Sequence, residues 1–190
     1  MPGIAVSAQF GLPPAGLMIR APRKARFSSP LAAMLSDVAC AAAGAIGCRD
    51  RDIAAALAPY MGLTGLLDGV ACPGGPEKYT RHLLHAGAGY SVLALVWRPR
   101  QMSPVHAHRT WCVFGVHQGW MTETLFTRGA TDARPFASMP RRAGDVAHAP
   151  ADPDKIHRLA NLGTTDALSI HVYGAAYDRL GHDVNEIWAE

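Results

Sequence analysis

Two histidines one residue apart, His106 and His108, are the sharpest chemical signal in the chain. In a β-strand, side chains two positions apart share a face, so both imidazoles can point inward and share one metal ion. The pair alone also fits two ordinary strand histidines, because nine histidines fall among 190 residues. Ser169, His171 and Tyr173 alternate in the same way and fall on one side of a strand. Arg81, in Tyr79-Thr80-Arg81, offers a planar guanidinium that can hold a carboxylate by two parallel charge-assisted hydrogen bonds. A tyrosine packed in a core and a surface arginine after a strand are the plainer alternatives for Tyr173 and Arg81. His117, His148 and His182 read as ordinary packed or solvated histidines. Arg109 alternates away from His108, Asn161 reads as a structural hydrogen-bonding residue, and Trp97, Trp111 and Trp120 as fillers of a barrel or its rim.

These residues need a scaffold, and the pattern along the chain supplies one. Residues 1–28 mix Pro, Gly and Arg without a period and read as a tail or arm. From Ser29 the pattern turns helical: Ser29-Pro30 resembles an N-cap and first-turn proline, and Leu31, Met34, Leu35 and Val38 recur at helix spacing. Arg49-Asp50-Arg51-Asp52 is expected to break that run before a second helix through Ile53, Leu57 and Tyr60. The segment Cys72–Pro76 is a turn. Beyond residue 77, short apolar runs separated by Gly and Pro predict strands at Tyr79–Leu84, Tyr90–Trp97, Val105–His117, Met121–Phe126, Asp145–His148, His157–Asn161 and Ala167–Val172. The expectation is a mainly β sandwich or barrel, with a helical segment over residues 29–70 packed on a single domain spanning 71–190.

The order of motifs carries a resemblance. From Arg100, five residues lead to His106 and His108, three more to Cys112, and six more to Gly119. Downstream, Gly144 is followed after five residues by Pro150, then by His157 and, after three residues, Asn161. This resembles the two motifs of the cupin superfamily, a jelly-roll-like double-stranded barrel, with His106, His108 and His157 at the ligand positions. Arg100 stands where the first motif has glycine, Asp152 replaces a second glycine, and His157 comes two residues late. Cys112 occupies the position of the usual ligating glutamate. Together with Tyr79-Thr80-Arg81, Ser103–His108 and Ser169–Tyr173, this resembles the cysteine dioxygenase family of thiol dioxygenases, over about Tyr79 to Gly174.

The resemblance implies an Fe(II) cofactor held by His106, His108 and His157. Three neutral imidazoles leave a ferrous ion its full charge, which favours an anionic ligand such as a thiolate. It further implies Arg81 as the site for a substrate carboxylate, and Ser169, His171 and Tyr173 as a catalytic relay. Cys112 aligns with a cysteine that in some family members is cross-linked to this tyrosine through a thioether. The implied reaction inserts both atoms of O2 into a small thiol carboxylate to give a sulfinic acid, as in cysteine catabolism. Arg81 favours L-cysteine. The segment His106–Cys112 is equally similar to the 3-mercaptopropionate branch, so that thiol and mercaptosuccinate stand as alternatives.

Composition narrows the field. A hydrophobic fraction of 49% with 17% charged residues excludes global disorder, and a net charge of +3 with scattered basic residues argues against a nucleic-acid partner. No run approaches the ~20 apolar residues that a membrane helix needs. Four cysteines without a CxxC, and no basic segment leading into an apolar core at the N-terminus, suggest a reducing, cytoplasmic setting. A three-histidine zinc hydrolase or isomerase and a non-catalytic, ligand-sensing cupin are the readings outside thiol oxidation. Oligomeric state is not legible.

Overall fold

The computed structural model describes residues 29–181 and 184–189; the tail or arm expected at 1–28 and His182 lie outside them. Helix α1 spans Pro30–Ala42 and α2 spans Arg49–Leu57. Ser29 caps α1, its hydroxyl oxygen accepting from the Ala32 N–H at 3.2 Å, and Pro30 occupies the first turn, where its missing N–H is no loss. Arg49–Asp52 does not break the helical run as expected. It forms the first turn of α2, where Asp50 and Asp52 meet the positive end of the helix dipole. The break lies earlier, after Ala42, and Ile46–Cys48 makes a single 3₁₀ turn. A second such turn, Ala58–Tyr60, ends the helical part, and residues 61–79 contain no regular element.

Ten strands follow: β1 Thr80–Gly87, β2 Tyr90–Trp97, β3 His106–His108, β4 Cys112–Gln118, β5 Trp120–Arg128, β6 Ala133–Arg142, β7 Val146–Ala149, β8 Asp152–Ala160, β9 Ala167–Tyr173 and β10 Asn185–Ile187. They form two five-stranded sheets, in the orders β1-β2-β9-β4-β7 and β10-β3-β8-β5-β6, with every pair antiparallel. This is the mainly β, cupin-type double-stranded barrel that the sequence suggests. The run Val105–His117, expected as one strand, is two. The chain leaves one sheet after His108 and enters the other at Cys112, a crossing pinned by Arg109 N–H to Val184 O and Thr110 Oγ1 to Gly174 O.

The barrel interior is filled by Leu93, Leu95, Trp97, Phe114, Val116, Met121 and Leu159. The opposite face of the same β2-β9-β4 layer, through Val92, Ala94, Val113, Ile170 and Val172, packs on Met34, Val38, Ile53 and Leu57 of the helices. Both faces of β2 are therefore covered, which is why its sequence is an unbroken apolar run rather than an alternating one. Each buried aliphatic contributes roughly 1.5–3 kcal/mol. Trp97 fills the barrel and Trp120 stands partly exposed at the start of β5, but Trp111 departs from expectation and leans on the outer, helix-covered cluster. No helix among the described residues is long and apolar enough to cross a membrane.

Candidate metal centre

His106 and His157 stand directly opposite each other on β3 and β8, and His108 lies two residues further along β3. Over the span in which β3 advances from His106 to His108, β8 runs from His157 back to Asp152, so the register slips by a bulge. The irregularity falls in the segment just before His157, which comes two residues later than in the motif and still stands opposite His106. The three rings lie 4.6, 4.8 and 5.1 Å apart by centroid, all are buried, and one nitrogen from each falls within 4.8 Å of the others. Burial lowers the His106 pKa to about 3 and drives that of His108 well below its ordinary value, so both rings are neutral near pH 7 and offer lone pairs.

Two of the three rings are braced from behind. His106 Nδ1–H donates to the Pro104 carbonyl at 2.9 Å, and His157 Nδ1–H donates to Glu123 Oε1 at 2.8 Å. His108 Nδ1 and Asn185 Oδ1, on residues paired between β3 and β10, are both buried without a hydrogen-bond partner, and the neighbouring Asn185 side chain raises the basicity of His108. With the Nδ1 protons of His106 and His157 so placed, their Nε2 lone pairs face inward. His108 Nε2 and His157 Nε2 approach to 3.1 Å, a distance at which one can donate to the other or both can turn lone pairs to a shared cation. The donor set therefore fits a divalent ion.

One acidic side chain approaches the triad, from behind His157. Glu123 is buried on β5, binding His157 through one oxygen and Arg141 through the other. It sits behind the imidazole, on Nδ1, rather than at the ligand position that Cys112 holds in the motif. Burial opposes its ionisation, but the hydrogen bonds from His157 and Arg141 and the charge of Arg141 outweigh it and keep the carboxyl below its ordinary range. Glu123, Arg141 and Asn185 were all missed in the sequence. An acidic residue between Met121 and Leu125, in the inward alternation of a strand, was the available signal.

The facing sheet carries the second set. Trp97 Nε1–H donates to Ser169 Oγ at 2.9 Å, Ser169 Oγ lies 2.9 Å from His171 Nε2, and His171 Nδ1 lies 3.1 Å from the Tyr173 hydroxyl. The indole takes one lone pair of Ser169, and the neutral imidazole of His171 shares its one N–H and one lone pair between the Ser169 and Tyr173 hydroxyls. Burial lowers the His171 pKa and raises that of Tyr173 well above the ordinary value, so a neutral imidazole meets a protonated phenol.

Tyr173 lies 6.0 Å from His108 by ring centroid, and Cys112 is its direct partner across β4 and β9. Burial raises the Cys112 thiol pKa. Arg81, in register with Leu95, donates to the Tyr79 hydroxyl at 2.8 Å and lines one small cavity with the three histidines, Cys112, His171 and Tyr173. Its charge is felt at His106 and His171. A larger, mainly apolar cleft of about 350 Å³ reaches His108, His157 and Cys112 from the β6–β7 side.

The remaining histidines among the described residues stay apart from this centre. His148 bonds Asp50 at 2.8 Å and ties β7 to α2, while His117 faces outward toward the Tyr60 backbone. Arg109 is exposed, and Asn161 is buried, donating to Trp97 O and Thr165 O. Arg100, at the motif's first glycine position, has φ 73°, the left-handed region that favours glycine.

Two facing antiparallel sheets enclosing three inward histidines define a cupin with a metal-binding site. Residues 74–182 match the family model for cysteine dioxygenase type I, more than half of the chain, and the protein belongs to that family of metal-dependent, dioxygenase-type enzymes. Among solved structures, a protein from Thermus thermophilus aligns at 20% identity over 61% of this chain and 98% of its own, with a TM-score of 0.46. A double-stranded β-helix protein from Klebsiella pneumoniae subsp. pneumoniae aligns at 18% identity over 65% and 89%, with a TM-score of 0.49. A cupin superfamily protein from Desulfitobacterium hafniense aligns at 13% identity over 53% and 81%, with a TM-score of 0.42.

Proposed function

We propose that the protein is an Fe(II)-dependent thiol dioxygenase that converts a small thiol carboxylate, L-cysteine first, to its sulfinic acid with O2. The observation that carries this reading is a single cavity in which three imidazole nitrogens, one guanidinium and one phenol converge. His106, His108 and His157 hold the iron, which supplies a Lewis-acidic, redox-active centre where thiolate and dioxygen meet. Arg81 anchors the substrate carboxylate, and its link to Tyr79 keeps the guanidinium at the cavity edge. The positive charge there also favours an anionic substrate over a neutral one. Tyr173 directs its phenol hydrogen toward the reacting sulfur and oxygen atoms, held in that direction by His171 and Ser169. Trp97 fixes the far end of the relay, and the apolar walls keep bulk water from the reacting atoms.

Cys112 and Tyr173 form the thioether of this reading, a bond from Sγ to a ring carbon with the two displaced hydrogens passed to dioxygen. Their pairing across β4 and β9 supports this. Peptide mapping after turnover reads it as a loss of two hydrogens on that pair, and unlinked peptides alone remove it.

The deciding experiment loads the chain with iron anaerobically and follows oxygen uptake over L-cysteine, 3-mercaptopropionate and mercaptosuccinate. The expected result is the highest kcat/KM for L-cysteine. A cysteine value far below the other two transfers the assignment to them. Bound zinc with no thiol-dependent uptake overturns thiol oxidation altogether.

A further inference from the structure

We infer that Glu123 and Arg141 tune the charge that His157 delivers to its metal ion, making this one imidazole an anionic ligand by proxy, unlike His106 and His108. The inference rests on the metal reading above and extends it to two residues that do not touch the ion.

The three ligands differ in what stands behind them. His106 leans on a neutral carbonyl, and His108 has only the neutral Asn185 side chain nearby, without a formed hydrogen bond. His157 alone leans on a carboxylate, at 2.8 Å. An ionised acceptor draws the Nδ1 proton harder than a neutral one and so raises electron density at Nε2. Burial strengthens the effect, because neither partner is screened by water. Arg141 works in the opposite sense. Its Nε and Nη2 donate to Glu123 Oε2 at 2.8 and 2.6 Å, drawing charge away from the oxygen that faces His157 and moderating its pull. Strand order makes this geometry possible, since β5 lies between β6, which bears Arg141, and β8, which bears His157. Glu123 is thus a positioning residue with an electronic consequence, and Arg141 sets its strength.

Opposite roles predict opposite signs, which a bracket that merely joins three strands would not give. The test uses the full chain and two measurements that need no turnover: the Fe(III)/Fe(II) midpoint potential, and Co(II) affinity by optical titration. Glu123→Gln, which keeps the side-chain size, is expected to raise the potential and weaken Co(II) binding by about 10–100-fold. Arg141→Met, which keeps the aliphatic stem, is expected to lower the potential and leave Co(II) affinity at least equal to wild type. Shifts of the same sign in both variants, or no shift in either, overturn the inference. Should Glu123→Gln fail to fold, Arg141→Met decides alone, an unmoved or raised potential being the adverse result. A wild-type chain that binds neither ion removes the metal reading and this inference together. Tight binding with unmoved potentials removes only the tuning.

Discussion

In the β10-β3-β8-β5-β6 sheet, His106 and His157 are fixed from behind by separate acceptors and His108 stands beside Asn185, so no ring takes its anchor from another. In the facing sheet, Ser169, His171 and Tyr173 are anchored in series from Trp97, and each depends on the one before it. The first arrangement suits a site that must hold a fixed coordination shape. The second suits the delivery of one hydrogen in one direction. Loss of an acceptor in the first set loosens one ring, whereas loss of a link in the second disorders everything downstream.

The largest way to break this contrast is His106→Ala. Removing a ligand rather than its support is expected to weaken divalent-ion binding beyond the about 10–100-fold that outer partners cost, and to abolish oxygen uptake; calorimetric metal titration and an oxygen electrode read both. Tyr173→Phe should separate the sheets, leaving metal affinity within a few-fold of wild type while kcat/KM falls by about 10²–10³-fold, the usual size for loss of one preorganised donor. A Tyr173→Phe chain that also loses its metal would erase the distinction between the two sets.

A smaller effect sharpens the comparison through pH. Burial depresses the pKa of His106 to about 3, and those of His108 and His171 well below the ordinary 6.5. Below pH 6.5 the unfolded chain takes up protons that the folded chain refuses. The metal-free protein should hold its full stability above that pH and lose it progressively as the pH falls toward 3. The slope approaches about 1.4 kcal/mol per pH unit for each such imidazole. Urea midpoints between pH 7 and 4 measure it, and His171→Gln should flatten the slope by one group's share without touching the opposite sheet.

Much of this was legible because side chains two apart in a strand share a face. That rule alone aligns His106 with His108, and Ser169 with His171 and Tyr173, while motif order brings in His157, Cys112 and Arg81. What the sequence hid depends on partners remote along the chain. Glu123 and Arg141 meet His157 across two strand pairings, and Asn185 reaches His108 only because a three-residue strand at the far end of the chain returns to β3. Strand β6 was missed because Pro135, Pro140 and its arginines read as loop. The split between β3 and β4 was missed because Arg109-Thr110-Trp111 carries no Gly or Pro to mark a change of sheet. Arg100 misled in the other direction: it holds a glycine's backbone conformation without being glycine.

The position of those two prolines has a consequence of its own. Strand β6 closes the histidine-bearing sheet on one side, and its outer rim is largely solvent-facing. Proline offers no N–H, so Pro135 and Pro140 leave gaps in the row of donors that a neighbouring chain would need to extend the sheet. The barrel therefore ends there on a margin ill-suited to templating further strands, and crowding of copies in solution meets a frayed hem rather than a free ladder.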